Sequence, residues 1–116
     1  MDIEQLRAYC LSKPFATEHL PFDDRTLAFK VGGKIFALFD IVVFDGVNLK
    51  CDPELAIEWR EQYEGVKPGY HMNKKHWNTV ETDANISHAL WIQMIDHSYA
   101  LVFGSLPKNV REKLVQ

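Results

Sequence analysis

"TLAFKVGGKIFALFDIVVFDGVNLKC", residues 26–51, decides the fold class. Leu27, Phe29 and Val31 alternate with Thr26, Ala28 and Lys30, the period of a strand that buries one face. Gly32-Gly33 then supplies the positive φ angles that a two-residue hairpin turn demands. In the stretch that follows, Phe36 and Leu38 alternate with Ile35, Ala37 and Phe39, so this strand is apolar on both faces and belongs in the middle of a sheet. Asp45-Gly46 is a second turn signal of the same kind, between Val42–Phe44 and Val47–Cys51. Strands joined by connections this short pair antiparallel, because parallel neighbours need a crossover of roughly a dozen residues or more.

Helices flank this block. Asp2 stands before Ile3, Leu6, Cys10 and Leu11 at helical spacing, with Gln5 placed to complete a capping box. Pro14 forces Lys13 out of helical geometry and ends that helix. Asp52-Pro53-Glu54 gives an N-cap, a first helical position and an acid in the first turn. The expected helix runs to about Glu64, with Leu55, Ala56, Trp59 and Tyr63 buried and Gly65 as its stop. Trp77–Thr82 has strand character. Ser87 caps a long helix carrying Leu90, Trp91, Met94, Ile95, Leu101 and Val102, and Pro107 restarts a short final one. The prediction is α+β: helices packed on an antiparallel sheet, in one domain spanning residues 1–116.

Composition bounds the function. An apolar share of 47% and a charged share of 25% are those of an ordinary globular chain. The longest apolar runs, such as Ile35–Phe39, have five residues, far short of the about 20 that span a bilayer. The acidic opening Met1-Asp2-Ile3-Glu4 lacks the basic start of a secretory signal, so a cytoplasmic location without membrane contact is expected. Cys10 and Cys51 are far apart and fall on apolar faces, which suits buried free thiols.

One segment stands apart. "VKPGYHMNKKHWNTV", residues 66–80, gathers three lysines, two histidines and two large aromatics without an acid, in a chain of formal charge −3. Pro68-Gly69 suits the centre of a type II turn. If a strand starts at Trp77, alternation puts Trp77 and Val80 on opposite faces. Either a bulge or helical turn intervenes around Asn73–His76, or Trp77 is partly exposed beside lysine. The second arrangement makes a surface of cations and aromatics, suited to phosphates and stacked bases. Against this, Trp and Tyr are mostly buried bodies with a polar tip, and an isoelectric point near 5.9 is not that of a typical nucleic-acid domain.

Catalysis and metal binding find less support. His71 and His76 share neither a helical nor a strand face, and no carboxylate between Gly65 and Val80 orients either ring. His88 and His97 lean apart on the long helix, and His19 stands alone. Asp96-His97-Ser98 holds the residue types of a hydrolase triad, but adjacent helical positions point in different directions. Neither a nucleophile elbow nor a glycine-rich phosphate loop is present. The expectation is no catalytic residue, no metal site and no cofactor.

The string "NLKCDPELAIEWREQYEGVKPGYHMNKKHWNTV", residues 48–80, resembles the MmcQ/YjbR family of small bacterial proteins. So do "VGGKIFALF" at residues 31–39 and "DHSYALV" at residues 96–102. The resemblance implies a YjbR-like or CyaY-like α+β domain of the double-wing type, and the label of a DNA-binding protein. The family's motif is intact at Pro68, Gly69, Tyr70, His71, Met72, Asn73, Lys74, Lys75, His76 and Trp77. Two readings follow. In the first, Lys67, Tyr70, His71, Asn73, Lys74, Lys75, His76 and Trp77 contact DNA, weakly and with salt dependence, with Lys50 and Arg60 as a possible extension of the patch. In the second, the same motif forms the floor of a pocket for a protein or small-ligand partner. A convex lysine patch would favour the first and a concave, mostly apolar pocket the second.

Overall fold

The structure, a computed structural model, describes residues Met1 to Gln116. The chain runs α1 (Ile3–Ser12), β1 (Thr17–His19), β2 (Thr26–Val31), β3 (Lys34–Asp40), β4 (Gly46–Lys50), α2 (Pro53–Gln62), β5 (Val66–Pro68), β6 (Trp77–Glu81), α3 (His88–Ser105) and α4 (Lys108–Leu114). The six strands form one open sheet in the order β1-β2-β3-β4-β6-β5, every neighbouring pair antiparallel. The α+β architecture read from the sequence is therefore the one observed. No helix is long and apolar enough to cross a membrane.

The caps work as their residue types demand. Asp2 and Gln5 close a reciprocal capping box on α1. Asp52 accepts from the backbone N–H groups of Glu54 and Leu55, with Pro53 in the first turn of α2. Ser87 accepts from the N–H of Leu90 at the head of α3.

The central strand is bulged. Phe29 pairs with Ala37 but Lys30 pairs with Ile35, so Phe36 has no partner in the β2 ladder. The extra residue brings Phe36 and Ala37, both fully buried, to the helix-covered side together. The Phe36 carbonyl accepts from Ser98 Oγ at 2.5 Å. That hydroxyl in turn accepts from the Lys50 N–H at 2.8 Å, so one buried serine of α3 ties β3 to β4. Around it a single cluster joins Phe29, Phe36, Phe39, Val47 and Leu49 of the sheet to Trp91, Met94, Ile95 and Val102 of α3. Cys10 and Cys51 are free and buried, and burial pushes both thiols up to about 12.

Three local expectations are corrected. Val42–Phe44 is not a strand: the Asp40 carboxylate accepts from the Val42 and Val43 N–H groups, and the chain turns through Phe44 at φ 45°. Gly46 is consequently the first residue of β4, opposite Glu81. Gly65 is not a left-handed helix stop, since α2 ends at Tyr63 in extended geometry. A Cβ on Gly65 would lie 2.2 Å from that of Ala84, so this glycine is required by a close crossing. Pro68-Gly69 is not a type II turn, because positive φ falls on His71 (59°) and Gly69 continues the extended chain.

Candidate functional site

β5 lies at the sheet edge, where Pro68 can pair with Asn78 without donating to a further strand. The Gly69 N–H then donates to the Trp77 carbonyl at 2.8 Å, which holds the chain flat against β6. A Cβ on Gly69 would meet Trp77 Cβ at 2.8 Å. Next, the Tyr70 N–H donates to Thr79 Oγ1 at 2.8 Å, and that hydroxyl donates to Asn48 Oδ1. Thr79 and Asn48 are cross-strand partners on the sheet face opposite the buried Val47, Leu49, Asn78 and Val80. Tyr70, His71 and Met72 are thereby drawn across the side of the sheet that the helices leave open.

The second half of the segment is held from α2. Arg60 Nε donates to Asn78 Oδ1 at 2.7 Å and Arg60 Nη2 to the Lys74 carbonyl at 2.5 Å. Lys74 Nζ folds back onto the Gly69 carbonyl at 3.0 Å. Asn73 Oδ1 accepts from the N–H groups of Lys75 and His76, closing a turn just before Trp77. Trp77 is half-buried on the open face, opposite Lys50, while Val80 faces the core. Both a turn and a partly exposed tryptophan therefore exist, and the tryptophan does sit beside a lysine.

The cationic cluster is divided by these bonds. Arg60, through Nε and Nη2, and Lys74, through one Nζ bond, are tied to acceptors inside the protein. Lys67 and Lys75 are exposed and make no ion pair.

On the open face, Ile35, Leu38, Asn48 and Thr79 floor a cavity of about 510 Å³. Tyr70, His71 and Met72 form one wall and Phe22, Val43, Asp40 and Asp45 the other. Leu38 is only 6% exposed, whereas the rim residues Phe22, Val43 and Tyr70 are 69%, 56% and 69% exposed. The Tyr70 and His71 rings lie against each other, centroids 4.1 Å apart. Of the eight residues singled out in the sequence, only Tyr70 and His71 line this cavity; Lys67, Asn73, Lys74, Lys75, His76 and Trp77 do not. Ile35, Leu38, Asn48, Thr79 and Asp45 were not anticipated. The Asp40 carboxyl is held below the usual carboxylate range, by the Val43 N–H foremost and also by Arg25.

No group of three or more His, Cys, Asp or Glu side chains is placed to hold a metal ion. Asp96 and His97 do not act on Ser98. Asp96 accepts from Tyr9 Oη and Lys13 Nζ, His97 Nε2 accepts from the Asp52 N–H, and the Ser98 hydroxyl donates to Phe36.

An open antiparallel sheet with helices on one side and a lined hollow on the other defines a small α+β protein of known lineage. The YjbR family model matches residues 11–101, and the chain belongs to that family. It is 35% identical to the Escherichia coli (strain K12) protein YjbR, over all of this chain and 99% of the relative. It is 38% identical to YbdF of Escherichia coli O157:H7, over 96% of this chain and 92% of the relative. The crystal structure of Deinococcus radiodurans protein DR2400, domain DUF419, superposes with a TM-score of 0.90 at 38% identity. That match covers 97% of this chain and 87% of the other. A Pseudomonas syringae protein crystal structure superposes with a TM-score of 0.77 at 27% identity, covering 88% of this chain and 99% of the other.

Proposed function

We propose that the chain is a binding module whose site is the cavity on the open sheet face, and that it holds a small ligand with an apolar body. The cavity itself carries this reading. Its about 510 Å³ lies within the range of roughly 300–1,000 Å³ usual for small-molecule sites, and a few polar groups converge on an apolar floor. The motif serves as a wall. Gly69 lets the chain approach β6, Thr79 fixes the Tyr70 backbone, and Arg60 braces the return through Lys74. No catalytic step is part of this reading.

Titration of ¹⁵N-labelled protein with tryptophol, an uncharged indole alcohol, tests it. Resonances of Leu38, Asn48, Tyr70 and Thr79 are expected to move together at millimolar probe, and Tyr70→Ala is expected to weaken the effect. Probe-induced shifts confined to other surfaces, or none at all, would remove the cavity as the site.

Lys67 and Lys75 keep a second reading open. Both are exposed and unpaired, and the exposed Tyr70 ring is available to stack on a base. DNA bound this way would be held by few phosphate contacts, because Lys74 and Arg60 are engaged internally.

A further inference from the structure

We infer that the cavity selects organic cations: a protonated amine carried on a flat apolar body. The inference rests on the cavity being the binding site and concerns what kind of ligand it admits. Two acidic residues, Asp40 and Asp45, line the cavity with one histidine, His71, and no lysine or arginine does.

The two acids are not equivalent. Asp40 is already satisfied, with Oδ2 accepting from Arg25 Nε at 2.8 Å and Oδ1 from the N–H groups of Val42 and Val43. The Asp45 carboxylate makes no hydrogen bond and no ion pair, and only its backbone carbonyl is used, by the Thr82 N–H. It is the unmatched charge of the site.

A ligand that covers Asp45 strips water from a carboxylate with no protein donor to replace it. That disfavours an anion most, a neutral ligand less, and a cation least, because its charge offsets the lost hydration. Asn48 fixes the other end of the preference. Its Oδ1 is occupied by Thr79, while its Nδ2 group has no protein partner and leaves a pair of N–H donors on a residue that lines the hollow. The ligand therefore needs an acceptor, or a π-face, toward Asn48 and its charge toward Asp45. Leu38 stands opposite Asn48 on β3, and Gly46 separates Asn48 from Asp45 along β4. Ile35 extends the apolar floor on the far side of Asn48, so a flat apolar body can rest on this floor with its charged end at Asp45. The lining offers a phosphate no lysine or arginine, only the His71 imidazole. A DNA contact through Lys67 and Lys75 would use a different part of the surface.

Three indoles differing in their terminal group separate the possibilities: tryptamine, tryptophol and indole-3-propionate, each titrated into ¹⁵N-labelled protein at low salt. Tryptamine is expected to bind about threefold tighter than tryptophol, a modest factor because Asp45 is solvent-exposed. Indole-3-propionate is expected to be weakest. In Asp45→Asn, tryptamine and tryptophol should bind alike. In the wild-type protein the tryptamine advantage should shrink between 20 and 300 mM salt, a check that needs no variant. Equal binding of tryptamine and tryptophol, or an advantage that survives both Asp45→Asn and salt, would overturn cation selection while leaving the cavity as the site. Failure of all three probes to move the cavity resonances would overturn the site as well.

Discussion

Gly69 and Ser98 are each held by a contact that tolerates almost no change. At Gly69 the constraint is space: an added methyl would sit 2.8 Å from Trp77 Cβ and 2.9 Å from the Trp77 carbonyl. Gly69→Ala must push the motif off β6, and should lower unfolding stability by about 1–3 kcal/mol in a denaturant melt. The Pro-Gly pair invited a turn assignment because that dipeptide fits positive φ at its second position. Nothing in the sequence could reveal that the glycine is needed for contact with a strand eight residues on, nor that His71 takes the left-handed position instead. Ser98 is also fully buried, and its single hydroxyl satisfies both the Phe36 carbonyl and the Lys50 N–H. Ser98→Ala leaves two backbone groups unpaired in the interior, and a loss of about 2–3 kcal/mol is expected on chemical unfolding. A change within about 0.5 kcal/mol would mean that water replaces the hydroxyl there.

The helices were legible as elements because their starts are written in side chains: Asp2, Asp52 and Ser87 each accept the backbone N–H groups that their residue type predicts. The long strands were legible by period. β1 and β5, at three residues each, are too short to show one, and they exist because β2 and β6 offer them an edge. The start of α2 also carries a titrating contact. His97 Nε2 accepts from the Asp52 N–H at 3.1 Å, and the ring stands edge-on to Trp59. Burial lowers the His97 pKa below its ordinary 6.5, against the opposing pull of Asp52. The neutral ring is the one that can accept this bond, so its contribution is fully present above pH 6.5. That contribution disappears as pH falls through the lower folded value. The melting temperature should therefore drop as pH falls from about 7 to 5. His97→Phe should remove that component of the slope and cost about 1 kcal/mol at pH 8, the size of one lost hydrogen bond. A pH profile identical in the variant would show that other groups carry the slope.

At the scale of the molecule, the cavity is assembled from residues 22–26, 35–48, 70–72 and 79, which meet only because β2, β3, β4 and β6 are neighbours. The sequence showed Tyr70 and His71 because they stand in an unusual string. It hid Leu38, Asn48 and Asp45, which look like ordinary strand and turn positions. The same assembly decides how much of the positive charge is available. Five cations, Lys50, Arg60, Lys67, Lys74 and Lys75, suggested a contact surface, but Arg60 and Lys74 are bound to the protein's own carbonyl and amide oxygens. Lys50 lies half-buried opposite Trp77. With Lys67 and Lys75 as the two exposed, unpaired contacts, binding to duplex DNA should vary with salt at a log–log slope near −1.8, and be weaker than about 10⁻⁴ M at physiological salt. Fluorescence anisotropy over a salt series measures this directly. Replacing Lys67 and Lys75 together by Ala should abolish the salt dependence without disturbing tryptophol binding. A slope steeper than about −2.7 would need at least three phosphates. If Lys74 or Arg60 supplies the third contact by leaving its internal partner, the resonances of Gly69 and Asn78, which accept those internal bonds, are expected to shift on DNA; if Lys50 supplies it, they are expected to stay in place.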